Sequence, residues 1–143
     1  MAIKAMWLLG NNVLLFKVSG VITLDNIAYV TEKYETWLSK APQDAQLHFI
    51  FDLKDITTYP REVDTIRSVL PRRMDKLGWT LVITDDFYLE HLAGLFGKML
   101  GFSARTSPSV VDAYRFLQSN KDISLPQDWP DNIDDTMPKR PQV

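Results

Sequence analysis

Four aspartates lie where two apolar segments of the sequence end. Asp52 and Asp55 lie at the end of the run Leu47–Leu53, and Asp85 and Asp86 follow the next apolar run. If both runs are parallel strands, these carboxylates meet at the carboxyl edge of a sheet, where α/β proteins bind ligands. Carboxylates there can hold a divalent cation or transfer protons. They can equally cap the helices that follow, where negative charge is favourable, and we therefore expect capping, with no metal and no cofactor.

Other residue types that commonly do chemistry are scarce. His48 and His91 are the only histidines, and they lack the H-x-x-x-H spacing of a helical metal site, so we expect both to be structural. The chain has no cysteine, which excludes disulfides, thiolate metal sites and a cysteine nucleophile. No glycine-rich phosphate loop or nucleophile elbow is present. The sequence therefore favours a protein that is not an enzyme.

The composition is that of one ordinary globular domain. The chain has 143 residues, of which 45% are hydrophobic and 24% charged, and its net charge is −2. Nucleic-acid-binding domains are usually basic, so nucleic acid is not an expected partner. We find neither an export signal nor a run of about 18–20 apolar residues that could span a membrane, and we expect a cytoplasmic protein.

Hydrophobic periodicity predicts strands and helices in alternation. Two apolar runs around Gly10-Asn11-Asn12 predict an N-terminal hairpin, and stripes with a period of three to four residues predict four helices. The predicted strands are 5–9, 13–19, 47–53, 79–84 and 104–106, and the predicted helices are 24–39, Tyr59-Pro60 to Pro71, 87–100 and 108–119. The order β-β-α-β-α-β-α-β-α indicates an α/β domain with a mixed, mostly parallel five-stranded sheet. Residues 121–143, rich in proline and aspartate, are predicted to form a tail on a domain of residues 1–120.

The third predicted helix carries more apolar residues than one buried face requires. They cluster at its end and just beyond it: Leu95, Phe96, Met99, Leu100 and Phe102. Core packing accounts for most of this set. The surplus on the side of Phe96 and Leu100 indicates an apolar interface or a gate for a ligand.

A basic stretch accompanies the second predicted helix. Its members are Arg61, Arg67, Arg72, Arg73 and Lys76. Such a stretch is typical of a solvated surface. It could also dock an acidic partner, including the aspartate-rich tail of a second copy in a homodimer. Arg61 and the four aspartates together mark the predicted ligand or partner edge.

Four segments, in their order and spacing, resemble the STAS domain, the sulfate-transporter and anti-sigma-factor-antagonist family with the SpoIIAA-like fold. Val13–Thr23 resembles the family's strand with a G-x-h-T ending, and Phe51–Ile56 resembles its hDLsxV strand end. Gly78–Ile83 resembles its fourth strand, and Ser107–Ala113 resembles the start of its last helix. The resemblance covers about residues 5–119.

The resemblance implies a protein-interaction module. In the members that act as switches, a partner kinase phosphorylates a Ser or Thr of an Asp-Ser-Ser-Gly motif at the start of the second helix. The corresponding stretch, Ile56–Glu62, lacks that motif but holds Thr57 and Thr58, the candidate phosphorylation sites. A second resemblance is to the CRAL-TRIO lipid-binding group, in which a helix lifts off the sheet to admit an apolar ligand.

Three functions follow from these observations. We predict a non-enzymatic interaction or regulatory module with a protein partner. The alternative is a binding protein for a small apolar molecule. A carboxylate-based or metal-dependent enzyme is the third possibility.

Overall fold

The computed structural model describes residues 2–8, 13–42 and 45–119, which form five strands and four helices in the predicted order. The strands are β1 (Ala2–Leu8), β2 (Val13–Val21), β3 (Leu47–Thr58), β4 (Leu77–Ile83) and β5 (Ser103–Thr106). The helices are α1 (Leu24–Lys40), α2 (Val63–Arg67), α3 (Phe87–Leu100) and α4 (Val110–Ser119). None of these helices combines the length and apolarity needed to cross a membrane. The predicted hairpin turn at 10–12 and the predicted tail at 121–143 lie outside the described residues.

The five strands form one mixed sheet whose order is that of the chain, β1-β2-β3-β4-β5. β1 pairs with β2 antiparallel, and the other three pairings are parallel. Crossovers between parallel strands of one sheet are right-handed in nearly all proteins. Because the order advances in one direction, these crossovers place α1, α2 and α3 on the same face, and α4, which follows the last strand, covers the other. The predicted α/β architecture is confirmed.

The sheet has a hydrophobic core on each face. Leu14, Phe16 and Phe49 pack with the first three helices, whereas Leu15 and Ile50 pack with α4. All five side chains are buried. A strand that is covered on both faces appears in a sequence as an unbroken apolar run, which is the pattern of β3.

Identifiable side chains set the ends of two helices. α1 begins with a capping box, in which the Thr23 hydroxyl accepts from the Asn26 N–H and the Asn26 side chain accepts from the Thr23 N–H. Asp86 caps α3, because its carboxylate accepts from two backbone N–H groups of the first turn. Gly101 ends α3 with φ of 98°, a left-handed conformation that glycine adopts without steric cost. The predicted capping role is therefore present at Asp86.

The second helix starts later and is shorter than predicted. A proline in the first helical turn predicted an opening at Tyr59-Pro60, but β3 continues to Thr58 and α2 has only five residues. The pairing with β2 holds the strand to its end, since the Thr58 carbonyl accepts from the Ile22 N–H at 2.8 Å. Pro60 also disfavours the helical region for the residue before it. Thr57 and Thr58 therefore lie at the end of a strand, and their predicted position at a helix N-terminus is wrong.

His48 lies on β3 and packs against β4. Its side chain is 3% exposed, and its Nδ1 accepts a hydrogen bond from the Trp79 N–H at 3.0 Å. The ring fits because residue 78 is glycine: a Cβ on Gly78 would lie 2.5 Å from the His48 Cε1. Burial lowers the pKa of His48 to about 4, so the ring is neutral at neutral pH and has the structural role that the sequence predicts.

We expect the titration of His48 to make the domain less stable as the pH falls below 6.5. An unfolded histidine binds a proton near pH 6.5, whereas the folded His48 binds it only near pH 4. The stabilisation from neutral His48 is therefore complete above pH 6.5 and is lost as the pH falls through 4, by about 3 kcal/mol in total. Urea unfolding at a series of pH values measures this in the wild type and in His48→Asn, whose amide oxygen can replace Nδ1 as acceptor. The loss should be smaller in the variant.

His91 supplies the matched control, because it is exposed. The variant His91→Asn makes the same replacement outside the core, so it serves as the reference against which the effect of His48→Asn is compared. Equal pH dependence in the wild type and both variants would contradict the lowered pKa of His48.

Candidate functional site

A cavity of about 210 Å³ lies between the sheet and the helices α1, α2 and α3. Side chains of β1 to β4 form its floor, and side chains of α1, α3 and the segment from Tyr59 to Met74 form its walls. Apart from Asn26, Tyr59 and Thr80, every lining side chain is apolar, and none carries a charge. The site is therefore suited to hold an apolar molecule.

The walls of the cavity follow from the periodicity of the helices. Leu92, Phe96 and Leu100 recur at four-residue intervals on α3 and point to one side of it, and Ile27 and Val30 lie three residues apart on one side of α1. All but Leu100 belong to the stripes that the sequence predicts, and Leu100 belongs to the predicted apolar cluster. The apolar side chains of α1 and α3 both border the cavity, and no full-length helix of the described part of the chain fills the space between them.

The predicted apolar cluster at the end of the third helix divides between the cavity and the surrounding core. Phe96, Leu100 and Phe102 line the cavity, Met99 packs against the core on the same face of the sheet, and Leu95 is half-buried. Phe96 and Leu100 are buried. The surplus of apolar residues on that side therefore faces the cavity rather than forming an exposed interface.

A cluster of four residues, Tyr59, Arg61, Asp86 and Tyr88, joins the segment after β3 to the start of α3; we call it the rim cluster. The Tyr59 hydroxyl donates to Asp86 Oδ2 at 2.8 Å, and the Tyr88 hydroxyl donates to the Arg61 carbonyl at 2.7 Å. The Arg61 guanidinium carbon lies 4.9 Å from the Tyr59 ring centroid and 5.6 Å from that of Tyr88, at distances typical of cation–π contacts. Because Tyr59 also lines the cavity, the rim cluster closes part of its boundary.

The pKa values of Tyr59 and Asp86 in the rim cluster shift in opposite directions. The hydrogen bond from Tyr59 lowers the pKa of Asp86, and the N–H groups at the start of α3 lower it further. Burial, followed by the interaction with Asp86, raises the pKa of Tyr59 to about 12. At neutral pH Tyr59 is therefore a neutral donor and Asp86 an ionised acceptor.

The other aspartates of the predicted edge are not gathered with Asp86. Asp55 is exposed on β3, whereas Asp52 is buried and its Oδ2 has no hydrogen-bond partner among the described residues. Asp85 lines a separate cleft of about 360 Å³ together with Lys54. In the described ranges, no group of three or more His, Asp or Glu side chains could hold a metal ion. The metal-dependent alternative therefore finds no ligand set in that part of the chain.

The remaining predicted sites are spread over the surface. Thr57 and Thr58 are both exposed, so phosphorylation there stays a prediction. In the basic stretch, Arg61 joins the rim cluster, and Arg73 bonds to the Asp75 carboxylate at 2.9 Å and to the Met99 carbonyl at 3.3 Å. The use of that stretch as a docking surface also stays a prediction.

The sequence patterns do not identify the three polar residues of the cavity. They place Asn26 within the first helix and Tyr59 at the opening of the second, although both side chains line the cavity. They place Thr80 only in a buried strand. A signal for it was present, because it is a single hydroxyl among the apolar residues of β4.

Among solved structures, the chain is similar to an uncharacterised protein from the DUF3478 family with a SpoIIAA-like fold from Shewanella loihica PV-4. The sequences are 15% identical, the TM-score is 0.59, and the match covers 81% of this chain and 92% of that one. The protein therefore has a divergent SpoIIAA-like fold, as the sequence resemblance implies. No protein-family model matches the chain, and no curated protein matches it either.

Removing the Tyr59 hydroxyl should raise the pKa of Asp86 toward its ordinary value, because that hydroxyl is the main cause of its lowering. The variant Tyr59→Phe keeps the ring that lines the cavity and faces Arg61. NMR titration of the Asp86 carboxyl carbon in the wild type and in the variant measures the change.

Tyr88→Phe is the control for this titration. It removes a neighbouring hydroxyl that bonds to the Arg61 carbonyl and not to Asp86, so the titration of Asp86 should stay close to that of the wild type. Identical Asp86 titrations in the wild type and Tyr59→Phe would show that the Tyr59–Asp86 hydrogen bond does not form in solution.

Proposed function

We propose that the protein binds a small apolar molecule in the cavity between the sheet and the helices α1, α2 and α3. The observation that carries the proposal is the apolar, uncharged lining of that cavity. Apolar cavities take up apolar molecules, and an engineered one of about 150 Å³ binds benzene. In proportion, a cavity of about 210 Å³ has room for about eight or nine heavy atoms.

The free energy of covering apolar surface supports the proposal. Removing apolar surface from water is favourable by about 25 cal/mol per Å². A bound apolar molecule that contacts the walls would gain this free energy on both surfaces.

The proposed function contains no chemical step. No carboxylate, imidazole or amine lines the cavity, so its walls supply neither a general base nor a metal ligand to a bound molecule. The walls supply apolar contacts, and the bound molecule is held rather than converted.

A protein partner is the second function that we propose, in line with the expectation from the family resemblance. Phe87 is 87% exposed and Val21 is 50% exposed. Each lies within two residues of a cavity-lining residue, Leu89 or Ile22. A partner that covers these side chains would gain free energy from the apolar surface removed from water, and the polar rim cluster adjoins Phe87.

Ligand binding should be lost when the cavity is filled. Ala93 lines the cavity, and Ala93→Leu adds three carbon atoms there. This should weaken the binding of toluene about tenfold or more, because overpacking costs about 1–3 kcal/mol. A titration of the wild type and the variant with toluene, followed by amide chemical shifts, measures the dissociation constants.

Gly94→Ala is the control for the filling experiment, because a Cβ at Gly94 meets no atom within 4 Å. It should bind toluene as the wild type does. Toluene binding that is equally strong in Ala93→Leu would place the ligand elsewhere. The proposal fails if the wild type binds no toluene and native mass spectrometry finds no co-purified apolar molecule.

A partner that docks beside the cavity should depend on Phe87. We expect a stoichiometric partner to be captured by the wild type and to be depleted severalfold with Phe87→Ser, measured by quantitative mass spectrometry of affinity-captured complexes. Leu38→Ser is the matched control, because Leu38 is an apolar side chain on α1 that is 43% exposed and does not line the cavity. A partner retained equally by both variants would argue against this docking site.

A further inference from the structure

Thr80 lies on the floor of the cavity, and its hydroxyl is unsatisfied. The residue is 4% exposed and lines the cavity from β4. Its Oγ1 is buried and has no hydrogen-bond partner among the described residues. A buried hydroxyl without a partner is unfavourable, since it has lost its hydrogen bonds to water.

The other polar side chains of the lining are engaged. The Asn26 Oδ1 accepts from the Thr23 N–H at 2.8 Å, and the Tyr59 hydroxyl donates to Asp86 at 2.8 Å. Neither of these contacts involves the floor of the cavity. Thr80 therefore holds the unused hydroxyl among the lining residues, at the sheet and away from the rim cluster. Its Oγ1 is turned away from the cavity, whose exposed wall is apolar.

A structural role does not require this hydroxyl. Valine has nearly the same shape as threonine and is equally suited to a strand. It would fill the same place on β4 without an unpaired polar atom, and replacing an unsatisfied group by an apolar one of the same shape can be neutral or stabilising. The hydroxyl is therefore best explained by a partner that enters the cavity.

We infer that Thr80 determines ligand specificity by hydrogen bonding to one neutral oxygen of a bound, otherwise apolar molecule, such as a ketone, an ester or an alcohol. The inference rests on the proposed apolar-ligand function and names its ligand class. A hydroxyl both donates and accepts, so it suits each of these oxygens. The hydrogen bond requires a change of the Thr80 rotamer, because Oγ1 does not face the cavity in the structure. Rotation about χ1 by about 120° exchanges Oγ1 with another Cβ substituent and needs no backbone movement.

Carboxylic acids are excluded from this class in their ionised form. No cation lines the cavity, and burying an unpaired carboxylate in an apolar site is strongly unfavourable. Pure hydrocarbons would enter the cavity but would leave the Thr80 hydroxyl without a partner. The chemistry of the lining therefore favours one neutral oxygen.

Two probes of nearly identical shape test the inference. Acetophenone carries a carbonyl oxygen where α-methylstyrene carries a methylene group, and both are close to the size that the cavity accepts. Dissociation constants for both are measured by amide chemical shifts in the wild type, in Thr80→Val and in Thr80→Ser. Thr80→Val should weaken acetophenone binding about fivefold or more without weakening that of α-methylstyrene. Thr80→Ser, which keeps the hydroxyl, should retain acetophenone binding.

The infrared carbonyl stretch of bound acetophenone gives a second readout that a purely structural role would not change. It should lie at lower frequency in the wild type and in Thr80→Ser than in Thr80→Val. If Thr80→Val binds both probes as the wild type does, with an unshifted carbonyl stretch, the inference is wrong and the apolar-ligand function stands. If the wild type binds neither probe and no toluene, and native mass spectrometry finds no co-purified apolar molecule, the proposed function fails and the inference with it.

Discussion

The structure depends on how one face of the sheet is covered. Three crossover segments must cover that face, and the middle segment contains little helix. α1 and α3 have 17 and 14 residues, whereas α2 has five. An α-helix with its side chains is about 10–12 Å wide and strands are about 4.8 Å apart, so a short central helix leaves part of the sheet uncovered. β3 lies under that gap, and Phe49, Phe51, Leu53 and Ile56 of this strand all line the cavity. The cavity is thus a consequence of how β3 is connected to β4.

The segment between β3 and β4 is held in place mainly by a few separate contacts. The rim cluster fixes its beginning to α3, the Thr31 hydroxyl on α1 donates to the Val69 carbonyl at 2.9 Å, and the Tyr34 hydroxyl accepts from the Lys76 N–H at 3.2 Å. α2 itself has no side-chain cap. Regions with few regular backbone hydrogen bonds open at lower free energy than the core strands. This segment is therefore the part of the cavity wall that we expect to open first.

The sequence predicts the strands and helices of the molecule better than it predicts the cavity. The apolar run of β3 and the stripes of α1 and α3 identify their elements, because burial on two faces or on one leaves distinct periods in the sequence. The second helix was misplaced because Pro60 is compatible with a helix start, while the pairing of Thr58 with β2 depends on a distant part of the chain. The cavity is the part of the space between several elements that their side chains do not fill. No local sequence pattern indicates such an unfilled volume, although Thr80 lies on the cavity floor.

The position of Thr57 and Thr58 changes what a phosphate on either residue could do. At a helix N-terminus, free N–H groups and the helix dipole stabilise a phosphate. At the end of β3 no helix begins until Val63, so a phosphate there lacks the free N–H groups of a helix N-terminus and would act through neighbouring charges in the chain such as Arg61. A conformational change of the protein would affect a protein partner more directly through the segment between β3 and β4. Ile66 and Leu70 of that segment line the cavity, while Arg61 and Arg67 are exposed to solvent. If the proposed ligand and partner each prefer one arrangement of this segment, linkage requires that each change the affinity of the other by the same factor.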